Sequence, residues 1–260
     1  MKKISIVCSV MISLFVVSCM EKKHPLVIGH RGAAGYETEN TIPSIKKAIE
    51  LGVDAIEIDV FKIKSGEIVV FHDANLKRLA GTDLNIEELT LAELEDIRLE
   101  NGSRIPQLGE VLDVIDNRVR LNIELKGAGT ARGVHKIVSD CINNGGWAYG
   151  SFIISSFKWD ELKKIRELNN KIPIAVLISK NPLDALEVAN TLKAEAINPN
   201  YKSLTALNVE IIRNNGFKIY PWTVNEAADI REMKDFEVDG IISDYPDRVK
   251  QDQEVLEPVL

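Results

Sequence analysis

Basic charge, cysteine, histidine and long apolar runs are all scarce in this chain, and each shortage excludes something. The 32 lysines and arginines are outnumbered by 39 aspartates and glutamates, giving a formal charge of −7 with no basic cluster. That balance disfavours nucleic acid and anionic membrane faces as partners. Zinc would normally recruit histidine or thiolate, and only four histidines and three cysteines are present. No Gly-rich turn follows the first strand-like run, and there is no internal repeat, low-complexity tract or interdomain linker. The longest apolar run, Ile4 to Val17, has 14 residues and is too short to span a bilayer comfortably.

That run has another reading. Lys2 and Lys3 precede it as a positive n-region, and the ending Val16-Val17-Ser18-Cys19 resembles a bacterial lipobox, in which the cysteine is acylated and becomes the first mature residue. The expectation is a signal peptide over 1–18, a tether over 19–24 and one domain over 25–260. The protein would be an extracytoplasmic lipoprotein, on the periplasmic or cell-surface side, touching membrane only through its lipid anchor at Cys19. Removing Lys2 and Lys3 lowers the formal charge from −7 to −9. With Cys8 removed and Cys19 modified, Cys141 stands alone, so no internal disulfide forms. Cys141 falls in a helical pattern and reads as a small core residue.

From Pro25 onward, strand-like apolar runs alternate with amphipathic stretches of helical period. Strands are predicted at 26–31, 54–60, 119–125, 151–156, 173–178, 195–199, 217–223 and 239–243. Helices are predicted at 41–51, 107–117, 131–144, 158–169, 182–193, 205–215, 226–236 and 246–256. Eight βα units in a chain of this size predict an α/β fold of the TIM (β/α)8 barrel type, over a doubly wound sheet with fewer strands. One segment breaks the rhythm. After the second strand a hairpin turns at Ser65-Gly66 and returns through Ile68 to Phe71, and about 73–105 form a small insertion with a short helix near Thr90–Arg98.

The polar residues gather at strand ends. His30-Arg31-Gly32 ends the first strand, Glu57-Ile58-Asp59 the second, His72-Asp73 the hairpin's return arm, and Asn122-Ile123-Glu124-Leu125-Lys126 the third. Alternate residues of a strand share a face, so Glu57 pairs with Asp59 and Glu124 with Lys126. Glu57, Asp59 and Glu124 make an all-oxygen set suited to a hard divalent cation, Ca²⁺ or Mg²⁺. His30 and His72 are then the acid–base candidates, because imidazole titrates near neutral pH. Three carboxylates, one divalent ion, Arg31 and Lys126 leave a formal charge of about +1, which suits a phosphodiester monoanion. His24 and His135 lie outside this set.

These clusters, with Glu39-Asn40-Thr41, Ile105-Pro106, Pro221-Trp222, Asn225 and Ser243-Asp244, resemble in order the signature of the glycerophosphodiester phosphodiesterase family across nearly all of 25–248. The resemblance implies a TIM barrel with an insertion after its second strand. It implies a divalent ion on Glu57, Asp59 and Glu124, an acid–base pair in His30 and His72, phosphate contacts from Arg31 and Lys126, and Trp222 against the glycerol. The substrate would be a small glycerophosphodiester, split to sn-glycerol 3-phosphate and an alcohol after attack by its own 2-hydroxyl. A phosphodiesterase for lysophospholipids or an envelope polymer, and a non-catalytic binding lipoprotein, are the other readings. Two departures, Thr38 where the family usually has proline and Ser65 where it often has aspartate, alter loops and remove no reacting group.

Overall fold

A computed structural model describes residues 24–254; the expected signal peptide, Cys8 and the acylation site Cys19 lie outside them. Nine strands and ten α-helices are found among the described residues. In chain order they are β1 Leu26–Gly29, α1 Ile42–Glu50, β2 Ala55–Lys62, β3 Ile68–Val70, α2 Lys77–Ala80, α3 Leu91–Glu95, α4 Leu108–Ile115, β4 Arg120–Leu125 and α5 Thr130–Asn144. There follow β5 Phe152–Ser156, α6 Trp159–Leu168, β6 Ile174–Ile178, α7 Leu186–Leu192, β7 Ala196–Pro199, α8 Ala206–Asn214, β8 Lys218–Ile219, α9 Ala227–Asp235, β9 Gly240–Ser243 and α10 Pro246–Glu254.

The strands run β8-β7-β6-β5-β4-β2-β1-β9, every neighbour parallel, with β3 added antiparallel to β2. The remaining seam is bridged by backbone hydrogen bonds: Asp239 N to Ile219 O at 3.1 Å, Ile242 N to Pro221 O at 3.0 Å and Val224 N to Ile242 O at 2.9 Å. The sheet is therefore a TIM barrel. The predicted strand 217–223 is regular only over Lys218–Ile219. Pro221 has no N–H for a ladder, so the chain beyond leaves regular pairing and makes an isolated bridge, Trp222 with Asn200, just past the end of β7.

Helix starts follow local chemistry. Thr41 accepts from Ser44 N ahead of α1, and Thr90 with Glu93 forms a capping box at α3. The predicted helix over 182–193 is split, its first turn, Pro182–Ala185, being 3₁₀ and the rest α7. Between helices and barrel lies the main apolar layer, including Ile45, Ile58, Leu121, Leu162 and Ile212. Cys141 packs half-buried against it. A second cluster, with Phe61, Phe71, Leu76, Ile86 and Leu94, holds the excursion after β3 against β2. Inside the barrel, Ile28, Ala55, Ile153, Ala175, Ala196, Tyr220 and Ile242 close its lower half. Polar inward residues therefore have only the upper half, at the carboxyl ends of the strands, where barrel enzymes hold their sites.

Candidate active site

His30 sits just past β1, where the backbone folds back sharply. Arg31 has φ 50° and Gly32 φ 89°, and a Cβ on Gly32 would lie 2.3 Å from Ser44 Oγ. That close approach to α1 is open to glycine alone. Ser44 Oγ donates to Arg31 O at 2.8 Å and accepts from Ala33 N at 2.9 Å, fixing the turn. Arg31 N donates to Glu57 Oε2 at 3.0 Å, so the same turn reaches the carboxylate cluster.

Both histidines are oriented by an aspartate. His30 Nδ1 lies 2.6 Å from Asp244 Oδ1, and His72 Nδ1 lies 2.6 Å from Asp73 Oδ1. Burial pushes Asp244 up, but His30 and Asn225 hold it below the usual carboxylate range. Asp73 is likewise held low against burial, by Arg78 and His72. Ionised carboxylates only accept, so each Nδ1 carries a proton and each neutral ring leaves its Nε2 lone pair for the pocket. Burial lowers His72 below the ordinary imidazole value despite the pull of Asp59.

Below them, ligand atoms of Glu57, Asp59 and Glu124 lie within 4.8 Å of one another, all buried. The ladder aligns them, Asp59 beside Glu124 and Glu57 beside Asn122. Lys126 Nζ is 3.0 Å from Glu124 and 3.6 Å from Asp59, and Arg31 Nε is 3.3 Å from Asp59. Asn40 Nδ2 donates to Asp59 at 2.9 Å. Burial pulls Asp59 up, yet Arg31, Lys126 and His72 hold it below its usual range. The two glutamates fare otherwise. Burial, with Asp59 and Glu124 nearby, raises Glu57, and burial with Asp59 pushes Glu124 up to about 7. The cluster is therefore short of positive charge. A divalent cation fits on both counts, since the donors are all hard oxygens and two of the three carboxyls are poorly neutralised by the protein.

Sequence reasoning gave no role to four groups that tie the site together. Glu39 takes Arg31 Nη1 at 2.7 Å and two nitrogens of Arg78, at 2.9 and 2.6 Å. Arg78 Nε also donates to Asp73 at 2.6 Å. One arginine from the excursion after β3 thus grips both the carboxylate behind His72 and the one behind Arg31. Asp244, receiving from Asn225 Nδ2 at 2.7 Å, does the same for His30. Glu39, Asp73 and Asp244 stood in the family-like motifs without a role of their own, and nothing local marked Arg78. These groups correct the charge count. Adding Glu39, Asp73, Asp244 and Arg78 brings the formal balance with a divalent ion to about −1 instead of +1, histidines neutral. Any pull of the pocket on an anion then rests on where Arg31 and Lys126 stand, not on net charge.

His30, Arg31, Glu57, His72, Glu124, Lys126 and Trp222 all line one pocket of about 440 Å³, while Asp59 lies buried beneath its wall. Every residue expected at the site within the described chain is therefore brought together. Trp222 Nε1 donates to Asn198 O at 2.9 Å, and Phe157 packs edge-on against its ring at 5.5 Å, so the indole is fixed as a wall.

The glycerophosphoryl diester phosphodiesterase family model matches residues 30–248. The chain is 33% identical over 231 residues to the glycerophosphodiester phosphodiesterase of Caldanaerobacter subterraneus, covering 85% of this chain and 95% of that one. It is 30% identical over 253 residues to the glycerophosphodiester phosphodiesterase of Bacillus subtilis, covering 85% and 84%. Among solved structures, a phosphodiesterase of Oleispira antarctica in complex with the product sn-glycerol-3-phosphate superposes with a TM-score of 0.81, at 27% identity and over 89% and 97% of the two chains. The chain belongs to the glycerophosphoryl diester phosphodiesterase family.

Proposed function

We propose, from this membership and the site, that the protein hydrolyses glycerophosphodiesters to sn-glycerol 3-phosphate and a free alcohol with the help of a divalent cation. The observation that carries the reading is one pocket in which two aspartate-backed imidazoles face a buried three-carboxylate cluster flanked by Arg31 and Lys126. A decayed site in a binding protein would have no reason to keep all of these. Glu57, Asp59 and Glu124 would hold the cation, Ca²⁺ or Mg²⁺, which would supply Lewis acidity toward the reacting phosphate.

The protein's own groups do the rest. Arg31 and Lys126 take the non-bridging phosphate oxygens, and Trp222 covers the glycerol carbons. One imidazole accepts the proton of the glycerol 2-hydroxyl at Nε2 as that oxygen bonds to phosphorus. The other, protonated, gives its Nε2 proton to the departing alcohol oxygen, and a cyclic phosphate remains. With roles reversed, the pair passes a water across the same phosphorus and opens the ring. The 2-hydroxyl is favoured over water because it is already tethered beside phosphorus.

The chain organisation belongs to the same proposal: signal peptide 1–18, tether 19–24 and catalytic barrel from 25, anchored outside the cytoplasm at Cys19. Leu26 enters β1 at the barrel end opposite the pocket. An anchor seven residues before Leu26 would hold the mouth away from the bilayer, which favours diesters met in solution. The test compares glycerophosphocholine with its 2-deoxy analogue. The reading expects sn-glycerol 3-phosphate and choline from the first and very slow cleavage of the second. Equal rates would reassign the attack to water, and no product from glycerophosphocholine would overturn the activity.

A further inference from the structure

Asn40 touches the carboxylate cluster but takes no part in the mechanism above. It is buried between Glu39 and Thr41, the residue that caps α1, and its backbone has φ 58°. Asparagine and aspartate are among the few residues besides glycine that accept this conformation readily. Asn40 N donates to Arg31 O at 3.0 Å, which fixes it against the turn that carries His30. Its side-chain amide then closes a two-bond ring with Asp59. Nδ2 donates to Asp59 Oδ2 at 2.9 Å, and Oδ1 accepts from Asp59 N at 3.2 Å. Arg31 Nε approaches the same Oδ2 at 3.3 Å. The other carboxylate oxygen of Asp59, Oδ1, has Lys126 Nζ at 3.6 Å, outside hydrogen-bond reach. The two oxygens of Asp59 are therefore unequal: one is held by the protein, and the other is left for a ligand beside Glu124.

Resting on the cation role proposed above, we infer that Asn40 is a positioning residue that clamps Asp59 through Oδ2, so that Asp59 meets the cation with Oδ1 alone, and that this clamp weights the site toward a small six-coordinate cation. The weighting follows from coordination chemistry. Mg²⁺ demands a near-octahedral set and is served by carboxylate oxygens fixed one at a time. Ca²⁺ takes roughly six to eight oxygens in looser geometry and gains from a carboxylate free to turn and offer both. The residue type follows from the same ring. Aspartate would accept the left-handed backbone and the Asp59 N–H, but it has no N–H to give Oδ2 and would add a fourth carboxylate. Glycine would accept the backbone and supply neither bond. Asparagine supplies the conformation, the donor and the acceptor together.

Calorimetric titration of the chelator-treated protein with MgCl₂ and with CaCl₂ tests this without any substrate. The proteins compared are wild type, Asn40→Gly and Asn40→Asp. In Asn40→Gly, Mg²⁺ affinity should fall roughly 10- to 100-fold, the range for losing a residue that orients a metal ligand, and Ca²⁺ affinity should fall less. The ratio of Mg²⁺ to Ca²⁺ affinity should drop about tenfold in both variants, because each frees Asp59 Oδ2. Asn40→Asp keeps the bond to Asp59 N and the backbone conformation, so it decides the matter if the glycine variant does not fold. A ratio that stays at the wild-type value or rises, with both affinities falling together, would show that Asn40 only supports the fold and would overturn the inference while leaving the cation reading intact. Wild-type protein that binds neither cation would instead overturn the cation reading itself.

Discussion

Replacing a metal ligand normally weakens a protein, but Glu124→Gln should stabilise the cation-free form of this one at alkaline pH. Glu124 is buried beside Asp59, and burial pushes its carboxyl up to about 7 from the ordinary carboxylate range. A raised folded-state value means that its stabilising contribution is complete below about 4.5 and is lost as pH rises through about 7. A rise of that size corresponds to about 3 kcal/mol. For a domain of this size each kcal/mol moves Tm by roughly 2–4 °C, so Tm of chelator-treated wild type should fall by roughly 6–12 °C relative to the variant between pH 4.5 and 8. Glutamine mimics the protonated carboxyl and does not titrate. Asp73 and Asp244, held low by partners outside the cluster, act in the opposite sense at lower pH and are common to both proteins, whereas Glu57, which the Glu124 charge helps to raise, is relieved in the variant and adds to its advantage. Adding Ca²⁺ or Mg²⁺ should reverse the order, raising wild-type Tm strongly at pH 8 and that of the variant little. Apparent affinity for the cation should drop about tenfold from pH 8 to 6 through Glu124, and further through Glu57, because protons compete for the ligand oxygens. Differential scanning fluorimetry with chelator and with each cation reads all of this. A variant no more stable than wild type at pH 8, with equal gains from cation in both, would refute the reasoning.

The histidines give a second prediction: His30→Ala and His72→Ala should each lose roughly 10²–10⁴-fold in kcat, and the double variant less than the product of the two, as measured on glycerophosphocholine. Near-normal turnover in either single variant would remove that residue from the reaction. Arg78→Ala should lower kcat roughly tenfold with little change in KM and move the acidic limb of the pH–rate profile upward, because Asp73 and Glu39 lose the partner that holds them low; Arg78→Lys should recover part of both. For the anchor, wild-type protein expressed in a bacterium should fractionate with membranes and Cys19→Ala should not, with mass spectrometry of the mature terminus finding an acyl-modified Cys19 in the first; a terminus at another residue without acyl chains would end the lipoprotein proposal.

What could be read from the chain was whatever repeats with a period. Alternating strand and helix patterns located all eight barrel strands, because buried parallel strands are continuous apolar runs and their polar interruptions, Glu57, Asp59, Asn122 and Glu124, stand out against them. The ending of β8 was missed because Pro221 and Trp222 keep an extended, apolar look while leaving the ladder. The short helix α2 was missed as well, since four residues carry too little periodicity to register. The residues that meet in the pocket were legible, but their support was not. Asp244 meets His30 across 214 residues and Arg78 meets Glu39 across 39, contacts that only closure of the barrel and docking of the excursion create. The charge balance shifted from about +1 to about −1 for the same reason.

The central claim, cation-assisted hydrolysis at this carboxylate cluster, is tested most directly by following phosphorus NMR of glycerophosphocholine with chelator-treated enzyme. The account predicts no loss of the diester signal, then conversion to sn-glycerol 3-phosphate on adding Ca²⁺ or Mg²⁺, and a severe loss of that rescue in Glu57→Gln, Asp59→Asn and Glu124→Gln. Full conversion by protein shown by elemental analysis to be metal-free, or undiminished rescue in the three variants, would contradict it.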